Sequence, residues 1–586
     1  MPVAKQWHLL PHDSFAIQRL ASSLRISPVI AQLLLNRGLA EPNEAKRFLE
    51  SPLKGLHPPA ALPGVPLAVE RLSEAIAQGR RICIYGDYDV DGTTGTAILL
   101  RLLETLKAPA QFYVPNRLEE GYGLNGSALR ELAASGVQVV VTVDCGIASI
   151  REAELAKQLG IELIITDHHE FKDKLPDASV LVHPRLPGTS YPFGGLSGSA
   201  VAFKLAWAMA IKASGSDRVT PVLREFLLEA VALATLGVVA DVVPLQDENR
   251  ILVRHGLARM TDKPSVGLKA LIEMCKIEDG KEIRSEDIGF KLGPRLNAAG
   301  RLGSARQVVE MLTTRDPGRA QEIAESLQKQ NEARQKLERE MIELARQMVE
   351  DQNLALSPAL VLASNIWHPG VMGIVAGRLV ESFARPVLMI ATRDGGHSAP
   401  GSGRSIAGFA LHEALKACDA ELLGHGGHAA AAGFRVNPER IDAFRTLFCA
   451  YAAGHFPTGV PPAPVLELDA EVPLIAVTPG LLRDLDQLEP YGASNRRPRF
   501  LTGGLELVGD PRRIGKDRQH LSFKVKQDDK SLRAVAWHMG DRMDELMSGN
   551  GYCCLAFTPK FNTWNGYTNI DLEVSDFQAG EDAVLS

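Results

Sequence analysis

The feature that most constrains this chain is a series of short, β-branched runs that each end in an acidic residue. "RICIY" runs through Gly86 into Asp87, "VQVVVTVD" ends at Asp144, and "IELIITDHH" ends in Asp167 and two histidines. A helical pattern separates each run from the next, so the sequence predicts βαβ units and a parallel sheet. Ligand sites in such sheets form at the carboxyl ends of the strands, where these acidic residues should converge.

The first of these strand ends carries three aspartates, Asp87, Asp89 and Asp91, within "DYDVDG". Carboxylates this close repel one another, so the cluster is costly unless a cation neutralises it. A calcium-binding EF-hand loop is excluded, because Ile98 stands where its final glutamate belongs and a strand precedes the motif. A solvated turn, with Asp91 or Thr93 as the helix N-cap, is the alternative to a metal site.

Two further segments add groups of the same kind. His168 and His169 follow Asp167, and Asp241 follows another apolar run in "LGVVADVVPL". Carboxylate oxygens with one imidazole suit Mn²⁺ or Mg²⁺ better than Zn²⁺. Successive side chains of an extended segment point in opposite directions, so we expect one histidine to bind metal and the other to face the substrate.

The rest of the chain divides into further domains, because 586 residues are too many for one core. A polar, amphipathic stretch from Pro317 to Asp351 predicts one long helix that connects two domains. Beyond it, "ALVLAS" and "PVLMIA" predict a second α/β domain, which also holds the glycine-rich "SAPGSGRS" and "GHGGHAAAAG". After a proline-rich linker, runs such as "LSFKVKQ" and "CCLAFTPKF" predict a small β-barrel, for which an OB-fold is the expectation.

The net charge of −6 does not indicate a nucleic-acid-binding protein, so any such site must be a local basic patch. The final domain offers one, made of Arg496, Arg497, Arg499, Arg512, Arg513, Lys516, Arg518, Lys524 and Lys526. Aromatic residues are interleaved with these basic ones, a combination typical of surfaces that bind single-stranded nucleic acid.

Cysteine usage and hydropathy bear on the compartment. Seven scattered cysteines without a Cys-x-x-Cys pair fit a reducing compartment, and we expect a cytoplasmic protein. The first residues lack the apolar region of a signal peptide, and the longest apolar run, Phe226 to Ala240, is too short to span a bilayer. No membrane association is therefore expected.

Taken together, these motifs resemble those of the DHH phosphoesterase superfamily. "DYDVDG", Asp144 in "DCGI", the Asp-His-His triplet and Asp241 in "GVVADVVPL" match its motif set. "NRLEEGYGL", "GFKLGPRLNAAGRLGSA", "GSGRSI" and "GHGGHAAAAG" further resemble the RecJ family, from about Gln6 to the final domain. Two departures are Val90, where a small residue is usual, and "LEPYGASNRRPRF", which follows the family's "GxGNPxP" pattern only loosely.

This resemblance implies an α/β fold in which a parallel-sheet DHH domain is joined by a long helix to a second, DHHA1-like α/β domain. An OB-like β-barrel that binds DNA follows at the C-terminus. The implied boundaries are 1–315 for an N-terminal segment with the DHH domain, 316–352 for the helix, 353–455 for the DHHA1-like domain and 456–586 for the barrel.

The resemblance also implies an activity. A RecJ-like enzyme is a single-stranded-DNA-specific exonuclease that works from 5′ to 3′ and releases 5′-mononucleotides by two-metal-ion hydrolysis of phosphodiesters. Its setting is DNA repair and recombination, and its cofactors are one or two Mn²⁺ or Mg²⁺ ions. The implied partners are single-stranded DNA, a single-strand-binding protein and a RecQ-type helicase, and the implied state is a monomer.

Residue roles follow from the same resemblance. Asp87, Asp89, Asp144, His168 and Asp241 are the expected metal ligands, with Asp144 bridging two ions. The catalytic roles fall to Asp87, Asp144 and His169. Asp91 is expected to cap a helix or to support the ligands, and Asp167 to orient a histidine or to cap its strand. The expected substrate-binding residues are Arg117, Tyr122, Arg295, Asn297, Arg301, Ser402, Arg404, Gly426, Gly427 and His428, of which Ser402, Arg404 and Arg117 would recognise a 5′ phosphate.

Two other functions share much of this pattern. A phosphoesterase for short oligonucleotides or nucleotide phosphates has the same metal site, but a small substrate does not need a basic β-barrel. A non-catalytic RecJ-like scaffold of a replication assembly has no need of the full ligand set that stands here. The sequence therefore favours the exonuclease.

Overall fold

The chain's strands and helices follow the order that its sequence predicts. The structure, a computed structural model, describes residues 4–117, 119–171, 174–278, 280–392, 396–564 and 567–585. The strands are β1 (Gln6–Leu9), β2 (Ile82–Gly86), β3 (Ala110–Tyr113), β4 (Val139–Val143), β5 (Glu162–Thr166), β6 (Val180–Val182), β7 (Leu360–Ser364), β8 (Val387–Ala391), β9 (Ala399–Arg404), β10 (Leu422–Gly427), β11 (Ala431–Val436), β12 (Val465–Leu468), β13 (Ala470–Glu471), β14 (Phe500–Leu507), β15 (Arg512–Ile514), β16 (His520–Gln527), β17 (Lys530–Ala536), β18 (Tyr552–Trp564) and β19 (Tyr567–Ala579).

The helices are α1 (Ser14–Leu24), α2 (Pro28–Leu35), α3 (Pro42–Glu50), α4 (Val65–Ala77), α5 (Val90–Thr105), α6 (Gly126–Ala134), α7 (Ile150–Gln158), α8 (Gly198–Ser214), α9 (Pro221–Ala240), α10 (Asp247–Asp262), α11 (Val266–Met274), α12 (Ser285–Asp287), α13 (Gly293–Leu302), α14 (Arg306–Thr313), α15 (Pro317–Asp351), α16 (Pro369–Phe383), α17 (Leu411–Ala417), α18 (Ile441–His455), α19 (Pro479–Asp486) and α20 (Met543–Met547). A π-helical turn, Ile288–Leu292, joins α12 to α13. Within the described ranges, none of these helices combines the length and the apolar character needed to cross a bilayer.

The sheet that positions the acidic residues is fully parallel and has the order β3-β2-β4-β5-β6. Its strands β2 and β4 are buried along their whole length, as expected where helices cover both faces. The chain runs from β2 to β3 on one side and then returns to place β4 on the other. Strands β2 and β4 therefore flank the point where the strand order reverses, which is where open α/β sheets form ligand sites.

Contacts within the chain define two compact units that alternate along the sequence. The central unit comprises Glu50–Leu337 and Pro490–Asn495 and contains the parallel sheet. The flanking unit comprises Met1–Leu49, Glu338–Glu489 and Arg496–Ser586. Helix α15 is continuous from Pro317 to Asp351, which confirms the predicted long helix, and its residues pass from the central to the flanking unit at Leu337.

The flanking unit contains the second α/β sheet and the barrel that the sequence predicts. Strands β7 and β8 pair in parallel, and antiparallel pairing extends the sheet in the order β10-β11-β9-β8-β7. In the barrel, β14, β18, β19, β17 and β16 are neighbours in that order, and β14 also pairs with β16. That last pairing closes five strands into the barrel of an OB-fold.

An N-terminal strand belongs to the same unit as the C-terminal barrel. Strand β1 pairs in parallel with β12, from Gln6 opposite Val465 to Leu9 opposite Leu468. Trp7 of β1 is 1% exposed, and its Nε1 donates a hydrogen bond of 2.8 Å to Asp576 Oδ2. The first residues of the chain thus complete the packing of its last domain.

Replacement of Trp7 tests this packing. Trp7→Ala should lower the free energy of unfolding by about 3–5 kcal/mol, because it removes a large buried side chain and leaves a cavity. Trp7→Phe keeps most of the volume but loses the hydrogen bond and should cost about 1 kcal/mol. Circular dichroism in urea measures the transition that includes the barrel. Phe15→Ala is the control, since Phe15 is 77% exposed and its loss should change stability by less than about 0.5 kcal/mol. Equal effects of Trp7→Ala and Phe15→Ala would contradict the packing of β1 described above.

Candidate metal centre

The acidic residues of three neighbouring strands meet at one edge of the parallel sheet. Asp87, Asp144 and Asp167 directly follow β2, β4 and β5, and each is at most 2% exposed. Potential ligand atoms of Asp87, Asp89 and Asp144 lie within 4.8 Å of one another. The convergence that the strand ends predict is therefore confirmed.

Two further groups of atoms extend this cluster. Ligand atoms of Asp144, His168 and His169 form one group within 4.8 Å, and those of Asp91, His168 and Asp241 form another. Asp144 belongs to the first group as well as to the one with Asp87 and Asp89. Its backbone has a φ of 63°, an uncommon left-handed conformation that asparagine and aspartate tolerate best. This turn at the end of β4 directs one carboxylate toward both groups.

The start of helix α5 uses its aspartates differently from the expectation. Asp89 is the N-cap, and its Oδ1 accepts a 3.0 Å hydrogen bond from Gly92 N. The expectation that Asp91 or Thr93 caps this helix is therefore wrong. Asp91 lies one residue inside α5, and its carboxylate accepts hydrogen bonds of 2.6 and 3.0 Å from the backbone N–H groups of Gly198 and Ser199. It thus binds the positive N-terminal end of α8.

The two histidines have distinct partners although they lie side by side. His168 Nε2 is 3.1 Å from Asp144 Oδ1 and 3.5 Å from Asp241 Oδ2. His169 Nδ1 is 2.8 Å from Asp167 Oδ1, and its ring centroid is 4.5 Å from that of His168. The argument from alternating side chains is therefore wrong, because β5 ends at Thr166 and the following residues are not in a strand. What separates the two histidines is their hydrogen bonding.

Asp167 performs both of the functions that the sequence left open. Its Oδ1 accepts a hydrogen bond from the backbone N–H of His168 at 2.7 Å and contacts the ring of His169. Its Oδ2 accepts a 2.9 Å hydrogen bond from Ile147 N. The carboxylate therefore fixes the chain after β5 and also the orientation of the His169 ring.

Asp241 reaches the cluster from a helix rather than from a strand. It is the C-cap of α9, where the unpaired carbonyl groups give the helix end a partial negative charge. The next residue, Val242, has a φ of 60°, which is an outlier for a β-branched residue, and its side chain is 69% exposed. A carboxylate at the negative end of a helix is unfavourable, so this position adds to the need for a cation.

The charges of the cluster displace the pKa values of its members from their usual range. Burial, followed by the charge of Asp89, raises the pKa of Asp87. Burial and the neighbouring carboxylates also raise the pKa of Asp144, and they raise that of Asp241 to about 9. Burial lowers the pKa of His168 to about 4, so its imidazole is neutral at pH 7. Without a cation, Asp241 therefore holds a proton at neutral pH.

His169 and Asp167 form an ion pair within the same site. Burial lowers the pKa of His169, but the hydrogen bond and charge of Asp167 outweigh this effect and raise it to about 9. Burial raises the pKa of Asp167, and the bond to His169 outweighs it and lowers the value to about 2. At neutral pH the pair is therefore a charged imidazolium and a carboxylate.

Several buried atoms of the cluster fit a divalent cation. Asp87 Oδ1, Asp144 Oδ1 and His168 Nε2 are buried and have no hydrogen-bond partner among the described residues. Asp144 Oδ1 and His168 Nε2 are 3.1 Å apart, yet no hydrogen bond joins these two atoms. Such unpaired acceptors cost free energy unless something positive binds them. Their oxygen-rich set with imidazole suits Mn²⁺ or Mg²⁺.

Glycines allow three helices to approach the carboxylates closely. A Cβ at Gly92 would lie 2.6 Å from Asp87 O, and one at Gly198 would lie 2.5 Å from Asp144 Oδ1. A Cβ at Gly237 would lie 2.2 Å from Asp91 Oδ1. Helices α5, α8 and α9 therefore cover one side of the acidic cluster with bare backbone, which explains why Asp87, Asp91 and Asp144 are buried.

Aromatic and basic side chains line the exposed side of this centre. The Arg117 guanidinium lies 5.0 Å from the centroid of the Tyr88 ring, and Tyr88 contacts Tyr122 edge to face. Tyr122 is 54% exposed, and its hydroxyl lies 3.1 Å from His169 Nδ1. The sequence reasoning overlooked Tyr88, although its position inside "DYDVDG" was a signal. Tyr122 therefore contacts the metal centre directly, and Arg117 lies beside it through Tyr88.

The polar side chains of the segment "GPRLNAAGRL" mainly form hydrogen bonds to neighbouring helices. Arg295 Nε donates a 2.7 Å hydrogen bond to Gln328 Oε1 on α15, and Asn297 Oδ1 accepts one of 3.2 Å from Val90 N at the start of α5. Burial raises the pKa of Tyr88, and the charges of Arg117 and Arg301 act against that rise, so Arg301 lies near this tyrosine. A π-helical turn precedes the segment, a feature frequent at functional sites.

The glycine-rich segments of the flanking unit lie largely on strands. Ser402 and Arg404 lie on β9, whose backbone pairs with both β8 and β11. Gly426 and Gly427 end the edge strand β10, and His428 starts the turn to β11. The ladders with β8 and β11 occupy the backbone of β9. Ser402 and Arg404 offer their side chains instead.

Eight of the nine basic residues of the predicted patch fall into two groups, and the ninth, Arg499, is partly buried. Arg496 and Arg497 form ion pairs with Glu467 and Glu489, and Asp469 also contacts Arg496. The members of the second group are exposed and form no ion pair with any described residue: Arg512, Arg513, Lys516, Arg518, Lys524 and Lys526. Strands β15 and β16 and the turn between them therefore carry the uncompensated part of the predicted basic patch.

Comparisons with known proteins agree with this architecture. Residues 81–235 match the DHH family, N-terminal domain, residues 356–454 match the DHHA1 domain, and residues 468–576 match the RecJ OB domain. The single-stranded-DNA-specific exonuclease RecJ of Bacillus subtilis is 36% identical over 576 residues, which are 98% of this chain and 71% of that protein.

Solved structures give the same result. The crystal structure of RecJ in complex with Mn²⁺ from Thermus thermophilus has a TM-score of 0.83 and 33% identity, and the match covers 99% of this chain and 80% of that one. The structure of the same protein with Mg²⁺ has a TM-score of 0.77 at the same identity and coverage.

The raised pKa of Asp241 predicts that cation binding depends on pH. Below about pH 9 a proton on Asp241 competes with the cation, so Mn²⁺ affinity should rise with pH from 6 to 8.5, by up to about tenfold per unit for one proton. Isothermal titration calorimetry in buffers of different ionisation enthalpy measures both the affinity and the protons released. Asp241→Asn removes this proton and should flatten the dependence. An Mn²⁺ affinity that does not change with pH in the unaltered protein would contradict the prediction that Asp241 must lose a proton when the cation binds.

Proposed function

Because this chain belongs to the RecJ family of single-stranded-DNA-specific exonucleases, we propose that it degrades single-stranded DNA from the 5′ end and releases 5′-mononucleotides. The observation that carries the proposal is the buried cluster of unpaired carboxylate and imidazole atoms at the edge of the parallel sheet. The chain also contains a DHH domain, a DHHA1 domain and the OB domain that is named for this family.

Asp87, Asp89, Asp144, His168 and Asp241 are the proposed ligands of Mn²⁺ or Mg²⁺. Asp144 is the proposed bridge, which its membership of two groups of ligand atoms supports. Divalent cations bound there supply Lewis acidity for the hydrolysis of a phosphodiester. The chain's own contribution is to hold the five proposed ligands together, because glycine-faced helices pack closely on Asp87 and Asp144 and Asp91 fixes α8 against the cluster.

His169 is the proposed contact to the scissile phosphate. With a pKa of about 9 it is an imidazolium at neutral pH, and Asp167 holds Nδ1. This arrangement leaves Nε2 to donate a hydrogen bond or a proton to the phosphate or to the leaving oxygen. Tyr122, whose hydroxyl contacts the same ring, is proposed to stack on a base of the substrate.

Ser402 and Arg404 are the proposed recognition site for the 5′-terminal phosphate. A terminal phosphate carries more charge than an internal one, and an arginine fork with a neighbouring hydroxyl suits it. Both side chains project from β9 as neighbours on one face of the strand. Arg117, Arg295, Asn297, Arg301, Gly426, Gly427 and His428 complete the proposed set of substrate-binding residues, with Arg295 and Asn297 acting through the contacts that support the site.

The barrel is the proposed binding surface for the rest of the strand. The exposed cations of β15 and β16, together with the exposed Trp537 (48%) and Phe561 (43%), combine charge with stacking surface. Such a surface reads no particular base, which agrees with an enzyme that must degrade any sequence.

The setting of the enzyme is also a proposal. DNA repair and recombination expose single strands through helicases and cover them with binding proteins, so a RecQ-type helicase and a single-strand-binding protein are the proposed partners of a monomeric enzyme. Seven free cysteines support a cytoplasmic location. The proposed domain boundaries remain 1–315, 316–352, 353–455 and 456–586, and the three family matches fall inside them.

One digestion tests the proposed activity together with the metal centre. Strands labelled at either end, single or double, are incubated with Mn²⁺, Mg²⁺ or EDTA. We expect mononucleotides from the 5′ end of single strands, with either cation but not with EDTA. Asp144→Ala should reduce the rate by at least about a thousandfold, because it removes the shared ligand. A dinucleotide hydrolysed faster than a long strand would favour a small-substrate phosphoesterase, and an absence of metal-dependent release would favour a scaffold.

A second prediction concerns the basic surface of the barrel. Lys524→Ala combined with Lys526→Ala should reduce the slope of log affinity against log salt by about 1.4, since each phosphate contact to a single strand contributes about 0.7. Fluorescence anisotropy with a labelled oligonucleotide, in the Asp144→Ala background, measures this slope. Lys560→Ala is the matched control on the same barrel, because Lys560 is already paired with Glu573 at 2.8 Å. Equal slopes for the double variant and the control would place DNA binding elsewhere.

A further inference from the structure

Strand β9 has one face of glycines, which packs against the core, and one face of polar side chains, which is partly exposed. Gly401 and Gly403 face the core, where a Cβ would lie 2.2 Å from the Phe434 ring and 2.4 Å from Leu388 Cδ2. Ser402 and Arg404 alternate with these glycines and are partly exposed on the other face. The glycines in "PGSGR" therefore serve packing, and the two polar side chains are presented toward helix α16.

The residue of α16 that meets them is Gly373. A Cβ at this position would lie 2.9 Å from Arg404 Nη2, 3.1 Å from Ser402 Oγ and 3.4 Å from Arg404 Cζ. The guanidinium and the hydroxyl thus occupy the space that any other residue would fill. Gly373 has no positive φ, so the helix itself does not require glycine here.

We propose that Gly373 is a positioning residue for recognition of the terminal phosphate, because its missing side chain lets the Ser402 hydroxyl and the Arg404 guanidinium lie together against α16. The inference rests on the proposed function of Ser402 and Arg404 and assigns the residue that sets their geometry. A second nitrogen of the Arg404 guanidinium is also held in place, because Nη1 donates a 2.8 Å hydrogen bond to Gly403 O.

The consequence of a side chain at position 373 follows from these distances. A methyl group at 2.9 Å is closer to Nη2 than real contacts allow, and the flexible end of Arg404 is the part that can move. The helix would therefore tolerate alanine, while the two donors would separate. A bidentate site is sensitive to such a shift, since its donors must match two phosphate oxygens at once.

Helix α16 itself offers a matched control. Gly377 lies one turn after Gly373, and a Cβ there would meet no atom within 4 Å. Alanine has a higher helix propensity than glycine, so Gly377→Ala should leave the melting temperature unchanged or raise it. It should also leave phosphate recognition unchanged.

The test compares hydrolysis of oligonucleotides with a 5′ phosphate and with a 5′ hydroxyl, as the ratio of their kcat/KM values, in the full-length protein. Gly373→Ala should lower this ratio by about ten- to a hundredfold, because the loss of one hydrogen bond to a charged group weakens binding by about that factor. The change should be mainly in KM. Mn²⁺ affinity by calorimetry and the melting temperature should stay as in Gly377→Ala. A purely structural role would lower the melting temperature without changing the ratio.

Arg404→Ala separates this inference from the proposed function. If Gly373 acts by positioning Ser402 and Arg404, the loss caused by Gly373→Ala should be clearly smaller in the Arg404→Ala background than in the unaltered protein. A normal ratio in Gly373→Ala, with a reduced ratio in Arg404→Ala, would overturn the inference and leave the phosphate site standing. An unchanged ratio in Arg404→Ala would overturn both. Additive losses would show that Gly373 acts by another route and would overturn the inference as well.

Discussion

The mutual repulsion of buried carboxylates is the interaction on which the rest of this structure depends. Asp87, Asp89, Asp144 and Asp241 are brought together at the ends of β2, β4 and α9, where burial alone already raises the pKa of each. The fold opposes this cost with the N-terminal end of α8 on Asp91 and with the ion pair of Asp167 and His169. These interactions do not neutralise the cluster, and the remaining charge is what gives the site its affinity for divalent cations.

Much of this site could be predicted from the sequence because its geometry is local to each strand. A β-branched run followed by an acidic residue indicates that the acid sits at a strand end, and parallel strands place such ends together. The same reasoning applies to α15, whose amphipathic pattern extends from Pro317 to Asp351, and to the alternating runs of the barrel. In each case the pattern and the resulting element occupy the same residues.

The features that the sequence did not predict depend on partners far along the chain. Asp91 binds the start of α8 more than 100 residues later, and nothing in "DYDVDG" indicates that partner. Asp241 lies at the end of a helix, α9. The sequence could not show this, because a short apolar run does not distinguish a helix from a strand. The glycines of β9 resemble a phosphate-binding loop until the Phe434 ring is seen to pack on Gly401. Tertiary packing, not local propensity, decides each of these cases.

The pairing of the first strand with the last domain has a consequence for biosynthesis. Trp7 is translated before Asp576, which accepts its hydrogen bond and lies 569 residues later in the chain. At about 5–20 residues per second, Trp7 waits roughly half a minute to two minutes for that partner. The central unit is continuous except for Pro490–Asn495, so most of it is translated early. Strand β1 therefore stays unpaired while most of the central unit is already translated, and its open edge is exposed to non-native pairing until β12 has been made.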